Sequence, residues 1–349
     1  MQFKDIIGQQ TIKQRLAEMI QTNRLPHAQL FLGPEGCGNL PLAIAYTQYI
    51  SCLNKEDNDS CGVCDSCIKY EKLVHPDLHF VFPVASSADV KDKPTSAKYI
   101  TPWREAILEE PYLSLANWQN RIETGNKQLL ISKYESEDIL KTLSLKTYES
   151  EYKVMIIWYP EKFNIASGNK LLKIIEEPPS KTLFILVAHD AEQVLTTILS
   201  RTQLVKVGRI EEEILQSELI KKYDLESSVA QKIAHQSDGN YITAQKLIEH
   251  SATEEEFHEL FKVWMRSAFT GKVDGLIEWS ENMASTAFGR EKQKQFLKYA
   301  LHLFRESLIQ NYGHSDLERT TNSELQFLAK FAPYIHGANC INIIELFND

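Results

Sequence analysis

Short apolar runs at 29–32, 78–82, 154–158, 183–188 and 204–207 punctuate the first 210 residues, separated by longer stretches of mixed polarity. Runs of this length without alternation predict strands covered on both faces. Segments long enough for a helix between them predict a βαβ succession and a parallel sheet. The interval between the second and third strands is too long for a simple crossover and carries Pro94, Pro102 and Pro111, so residues 83–128 read as an elaborated insertion whose role the pattern leaves open. From Glu211 the strand signal stops. Ile214, Leu215, Leu219 and Ile220 recur at helical spacing, and a second helical pattern surrounds a break at Gly239, which predicts a small helical domain over 211–252. Beyond it, Phe257, Leu260, Phe261, Trp264 and Met265 form one stripe, and Leu297, Leu301, Phe304 and Leu308 a second. Such stripes build either a helical core or a surface that receives other subunits. The chain therefore reads as α/β plus all-α, divided at 1–210, 211–252 and 253–349.

Composition narrows the classes. A formal charge of −9 over 349 residues opposes a surface basic enough to hold nucleic acid unaided. No apolar run approaches the ~18 residues that span a bilayer, and the start, Met1-Gln2-Phe3-Lys4-Asp5-Ile6, lacks the pattern of a secretory signal. A cytoplasmic protein without a membrane partner is expected.

Four of six cysteines crowd together as Cys52-x8-Cys61-x2-Cys64-x2-Cys67, while Cys37 and Cys340 stand apart. Cys-x2-Cys spacing aims two thiolates at one ion, and four thiolates predict a closed, structural zinc site that crosslinks a polar loop, residues 54–59. Unligated thiols and an iron–sulfur cluster are the competing readings.

After the first strand comes Gly33-Pro34-Glu35-Gly36-Cys37-Gly38-Asn39-Leu40, and then a helix beginning near Pro41. Strand, glycine loop and helix are the context of a phosphate-binding P-loop, which needs Lys for the β/γ-phosphates and then Ser or Thr for magnesium. Here those positions hold Asn39 and Leu40. The strand at 154–158 would end in the magnesium-binding acids of such a site, and instead runs into Trp158-Tyr159-Pro160-Glu161. Glu161, beyond the strand end, reads as an exposed surface carboxylate. The loop at Gly33, Gly36, Gly38, Asn39 and Leu40 is thus predicted not to bind nucleotide.

Taken together, the opening Phe3-Lys4-Asp5-Ile6-Ile7-Gly8-Gln9, Arg24-Leu25-Pro26-His27-Ala28 before the first strand, the cysteine insertion, the segment from Asn169-Lys170-Leu171-Leu172-Lys173 to Glu176-Glu177-Pro178-Pro179, and Leu199-Ser200-Arg201-Thr202-Gln203 resemble the clamp-loader branch of the AAA+ proteins, within it the bacterial delta-prime type. The resemblance is strong over 1–210 outside 83–128. It departs in Thr202, where the family has Cys, and in Ile242, which falls where active relatives carry a sensor arginine. It implies an AAA+ domain with a zinc module at 52–67, a helical lid, and a C-terminal collar for oligomerisation. It further implies a subunit of the DNA polymerase III holoenzyme that has no ATPase activity of its own. In that setting Arg201, with Ser200, would reach ATP held by a neighbouring subunit. An arginine at a helix end is otherwise a solvated residue or an ion-pair partner. The implied partners are gamma/tau motor subunits, the delta subunit, the sliding clamp through the assembly, and primed DNA only within it. The competing readings are an active gamma/tau-type motor and a zinc-stabilised scaffold. The carboxylates Glu176 and Glu177 read as a rigid helix stop with the prolines that follow.

Overall fold

A computed structural model describes residues 1–125, 127–285, 288–312, 322–337 and 339; Cys340 lies outside the described residues. Two compact units divide the chain, Met1–Leu247 and Ile248–Asp349.

The first unit is built on five parallel strands, β1 (Ala28–Leu32), β2 (Leu78–Val81), β3 (Lys153–Trp158), β4 (Thr182–Ala188) and β5 (Gln203–Lys206), in the order β2-β3-β4-β1-β5. All five anticipated apolar runs are strands, with ends within a residue of expectation. Leu30 lies between Leu186 and Leu204 of its neighbours, so β1 is paired on both sides, between β4 and the edge strand β5. The chain leaves it toward β2 on one side and returns to β5 on the other, which makes the end of β1 the topological switch point where open α/β sheets place ligand sites.

Alternate residues of each strand serve opposite faces. Phe31, Ile156, Trp158, Ile185 and Val187 meet α2 (Asn39–Ser51), whose every residue is buried; Leu30, Met155, Ile157, Phe184 and Leu186 meet Ile139, Leu171, Ile175 and Ile198. These last four belong to α6 (Lys133–Ser144), α7 (Ile165–Glu176) and α8 (Thr196–Leu199). Two further helices of this region are α1 (Gln10–Gln21) and α3 (Asp65–Glu71).

Residues 83–128 are no loose excursion. They form α4 (Ile100–Glu109) and α5 (Leu115–Arg121), and bring Trp103 and Trp118, both fully buried, onto the sheet. Trp103 stacks on Phe82 at 4.1 Å and 12°, Trp118 meets Trp103 edge-on at 5.2 Å, and the Trp118 indole donates to the Pro83 carbonyl at 2.9 Å. Two indoles of this size supply the apolar area that lets an insertion with four prolines fold as part of the core.

Helices α9 (Glu212–Tyr223) and α10 (Ser227–Ser237) pack Leu215 and Leu219 beside Ala230, Ile233 and Ala234 in the first unit. Gly239, at φ +71°, then turns the chain into α11 (Tyr241–Thr270). The second unit holds most of α11 with α12 (Val273–Ala284), α13 (Arg290–Tyr312) and α14 (Asn322–Phe331), around Phe257, Phe261, Phe296, Leu303 and Leu328. The first anticipated stripe lies in this core. The second is met in part: Phe304 is buried in this core and Leu308 packs against it, whereas Leu297 is 41% exposed and Phe296 takes the inward place at the start of the row. The cause is packing, since Phe296 fills the space beside Phe257 and Trp279. Among the described residues no helix is long and apolar enough to cross a membrane.

Candidate functional site

The glycine loop leaves β1 and enters α2 as the sequence predicts, with Gly38 at φ +91° as the N-cap and the helix starting at Asn39, two residues ahead of Pro41. In a working P-loop the first N–H groups of this helix point at phosphate. Here they are used internally. The Asn39 N–H lies against the Cys37 sulfur, Leu40 N donates to the Asn39 side-chain oxygen at 2.9 Å, and Pro41 has no N–H. The Asn39 amide turns inward, donating to the carbonyls of Gly33 at 3.2 Å and Ala188 at 3.1 Å. Thus the residue in place of the lysine binds the loop to the end of β4. Leu40 is buried, as is Cys37, whose thiol burial pushes up to about 12.

Gly36 carries the loop against the turn before α11. Its carbonyl accepts from Tyr241 N at 3.1 Å, and a Cβ there would lie only 1.9 Å from the Asn240 side-chain oxygen. Only glycine permits that approach. Ile242, which the resemblance sets against a sensor arginine, is buried. What remains open is a cavity of about 130 Å³ between the chain start, Tyr112, Glu218 and Tyr241. Pockets for drug-sized ligands hold roughly 300–1,000 Å³.

Trp158 and Tyr159 occupy the acid positions and face inward. Trp158 is fully buried against Trp103 at 5.1 Å, and Tyr159 stacks on His189 at 4.2 Å while its hydroxyl donates to Glu35 at 3.0 Å. Burial, then the Glu35 carboxylate, raises the Tyr159 phenol pKa. Glu161 corrects the sequence reading: it is no surface carboxylate, because it folds back to accept the backbone N–H groups of His189 and Asp190, the latter at 3.0 Å. Burial raises its pKa against the pull of those two donors. His189 was not singled out from sequence. It is held near pKa 4 by burial, hence neutral, so the end of β4 presents no cation where phosphate would lie.

Arg201 lies on the surface just past α8, its side chain 33% exposed. Its Nε donates to Glu176 Oε2 at 2.9 Å, and one terminal nitrogen donates to the Thr197 carbonyl at 3.0 Å and to Ser200 Oγ at 3.2 Å. Glu176, taken as part of a helix stop, also orients this guanidinium; the pairing joins residues 25 apart and leaves no sequence signal.

Remote from the loop, Cys52, Cys61, Cys64 and Cys67 converge with their sulfurs within 4.8 Å of one another. Individual separations are 3.6 Å for Cys52–Cys61 and 4.0 Å for both Cys52–Cys64 and Cys61–Cys67. A tetrahedron of thiolates at Zn–S ~2.3 Å has edges of about 3.8 Å, so these side chains fit one metal ion such as zinc. Backbone N–H groups of Cys61 and Cys64 approach the sulfurs of Cys52 and Cys61 at 3.3 and 3.4 Å, the outer contacts that stabilise thiolates in metal knuckles. The loop is tied to the chain start, with Asp59 accepting the N–H groups of Phe3 and Lys4 at 3.0 Å each.

A parallel sheet with β1 paired on both sides, a glycine loop at the switch point, a helical pair beside it and a four-thiolate module after α2 define a P-loop-type protein of AAA+ architecture. The sequence profile of the family described as DNA polymerase III, delta subunit, matches residues 8–211, more than half of the chain. The chain belongs to that family, the clamp-loader AAA+ proteins that include delta-prime. Among similar proteins, the DNA polymerase III subunit gamma/tau of Mycobacterium tuberculosis is 26% identical over 57% of this chain and 27% of its own length. The DNA polymerase III subunit delta' of Bacillus subtilis is 24% identical over 66% of this chain and 56% of its own. The chain therefore spans about a quarter to a half of these relatives. A gamma subunit-related protein from Thermotoga maritima aligns over 97% of both chains at 12% identity with a TM-score of 0.34, and the assignment rests on the sequence match alone.

Proposed function

We propose that the chain is a delta-prime-type subunit of the clamp loader, silent toward ATP itself, that donates Arg201 to a nucleotide bound by a neighbouring gamma/tau motor subunit. The observation that carries this reading is the contrast between the two sites: Asn39 of the loop turns its amide inward and Leu40 is buried, whereas Arg201 lies at the surface with its side chain one-third exposed. Arginine suits the task, because a planar, permanent cation can meet phosphate oxygens across an interface. Residues 1–210 then serve as the nucleotide-domain relic, 211–252 as a lid and 253–349 as a collar. The delta subunit, the sliding clamp and primed DNA are the further partners of the cytoplasmic assembly, and zinc is the ion of the cysteine cluster.

The test assembles clamp loaders with wild-type protein and with Arg201→Ala at equal stoichiometry. ATPase and clamp-loading rates are then compared. Arginine fingers of GTPases contribute on the order of 10³–10⁵ in rate. One silenced site among several should lower total turnover in part and clamp loading more. Unchanged rates would favour a zinc-stabilised scaffold, and micromolar ATP binding by the isolated chain would favour a motor subunit.

A further inference from the structure

We propose that Tyr112, delivered by the 83–128 insertion, is a built-in plug of the nucleotide site, so that binding is blocked by an added side chain as well as by the missing Lys and Ser/Thr. This rests on the reading of the chain as silent toward ATP.

The argument begins at Gly38. In a P-loop the absent Cβ of such a glycine is the opening through which the backbone approaches phosphate. Here a Cβ on Gly38 would meet the Tyr112 ring at 3.0 Å and its oxygen at 3.2 Å, so the ring already fills that opening. The ring is held from three sides. Its hydroxyl accepts the Ile7 N–H at 2.9 Å, its face meets Tyr241 at a ring separation of 4.8 Å, and the side chain is 7% exposed. Tyr112 therefore joins the chain start, the glycine loop and the beginning of α11 at one point, the place where a bound nucleotide would join them.

The insertion is shaped to put it there. Pro111 prevents α4 from continuing past Glu109, and Ser114 starts α5 by accepting the Asn117 N–H at 3.0 Å. Between those two signals the chain turns, and Leu115 N donates to Glu35 of the loop at 3.3 Å. Trp103 and Trp118 anchor the helices on either side, so the turn cannot withdraw without exposing two buried indoles. Asn39 and Leu40 account for lost phosphate and magnesium contacts. They do not explain why the space itself is occupied.

The plug and the missing contacts are separable by mutation. N39K/L40T restores the phosphate and magnesium ligands; N39K/L40T/Y112A also opens the space; N39K/L40T/Y112L is a milder opening that guards against a folding defect; and N39K/L40T/Y112F keeps the ring. Each is checked by thermal unfolding and zinc content, then titrated calorimetrically with ATP and magnesium. We expect no measurable binding by the wild type, N39K/L40T or N39K/L40T/Y112F, and binding at least tenfold tighter when Tyr112 is replaced by Ala or Leu. If N39K/L40T alone binds as tightly as the opened variants, or if folded opened variants still fail to bind, Tyr112 is not the barrier. In both cases a wild type without affinity leaves the silent reading standing, whereas binding by the wild type overturns both.

Discussion

A single carboxylate illustrates what a residue's surroundings do to its chemistry. Glu135 is the third residue of α6 after Ser132, the spacing at which a Glu usually reaches back to cap its own helix. Instead its Oε2 accepts the Ser96 N–H of the insertion at 2.7 Å, and it is 3% exposed. Burial, only partly offset by Ser96, raises its pKa to about 7 from 4.5. The folded state thus holds this proton more tightly than the unfolded one does. Its contribution is fully present below pH ~4.5 and is lost as pH rises through about 7. Between pH 5 and 8 the wild type should lose roughly 2–3 kcal/mol relative to Glu135→Gln, which has no proton to lose. Urea unfolding of both proteins at the two pH values measures this; a constant difference between them means that Glu135 is ionised throughout. The same logic separates the residues legible in the sequence from those that were not. The four cysteines declare themselves because their ligand set is local. Glu161 was misread, and the second role of Glu176 beside its place at the helix end was missed, because their partners, the N–H groups at 189–190 and Arg201, lie 25 or more residues away. Such pairings exist only once the sheet has placed β3, β4 and α8 side by side.

At the scale of elements, period and run length sufficed where burial is simple. The inner strands β1, β3 and β4 are largely apolar because both faces of the sheet are covered there, whereas the edge strand β5 buries only Val205, and α2 is largely apolar because it is buried all round. Legibility failed where an element's face is chosen by its neighbours, as in α13, whose inward row is set by what Phe296 can fill. The pattern left the role of the insertion 83–128 open, and its two tryptophans make it a packed layer. The layer has a measurable strength. Trp103 is fully buried among Phe82, Trp118 and Trp158, with an indole N–H that finds no hydrogen-bond partner, so packing rather than polarity holds it. Trp103→Ala should cost about 3–5 kcal/mol, and Trp103→Phe much less, since a ring still covers Phe82. Because this layer carries the turn with Tyr112, the Ala variant should also increase hydrogen exchange at Ile7, the amide that Tyr112 accepts from. A Trp103→Ala protein as stable as the wild type would mean that the insertion is only laid on the sheet.

For the whole first unit, the metal module and the sheet are distinct sources of order, and removing the metal should tell them apart. The cysteine loop contains the exposed polar run 54–58, and few of its side chains reach the main core. Its ties run to the chain start and to α2: Asp59 to Phe3 and Lys4, Ser60 to the Gln48 amide at 3.0 Å, and the Tyr49 hydroxyl to the carbonyls of Glu56 and Asp57 at 2.6 and 3.2 Å. Phe3 in turn packs edge-on against Tyr49 at 5.9 Å. Without an ion, four thiols held within 4.8 Å lose the bonds that draw them together, and the loop with its neighbours at 2–4 should loosen while β1–β5 keep their own core. A site kept at about a thousand times its dissociation constant contributes ~4 kcal/mol, equivalent to roughly 8–16 °C in Tm for a domain of this size. We expect about one zinc per chain as purified, a fall well below one in Cys64→Ser, and a drop of that order in Tm on chelation. Limited proteolysis of the zinc-free protein should cut first within 52–67 and leave the sheet intact. If zinc is absent from protein purified with its metal, the thiols are not a zinc site. If chelation removes zinc and unfolds the sheet together with the loop, the module and the sheet form one cooperative unit, and the division drawn here between them is wrong.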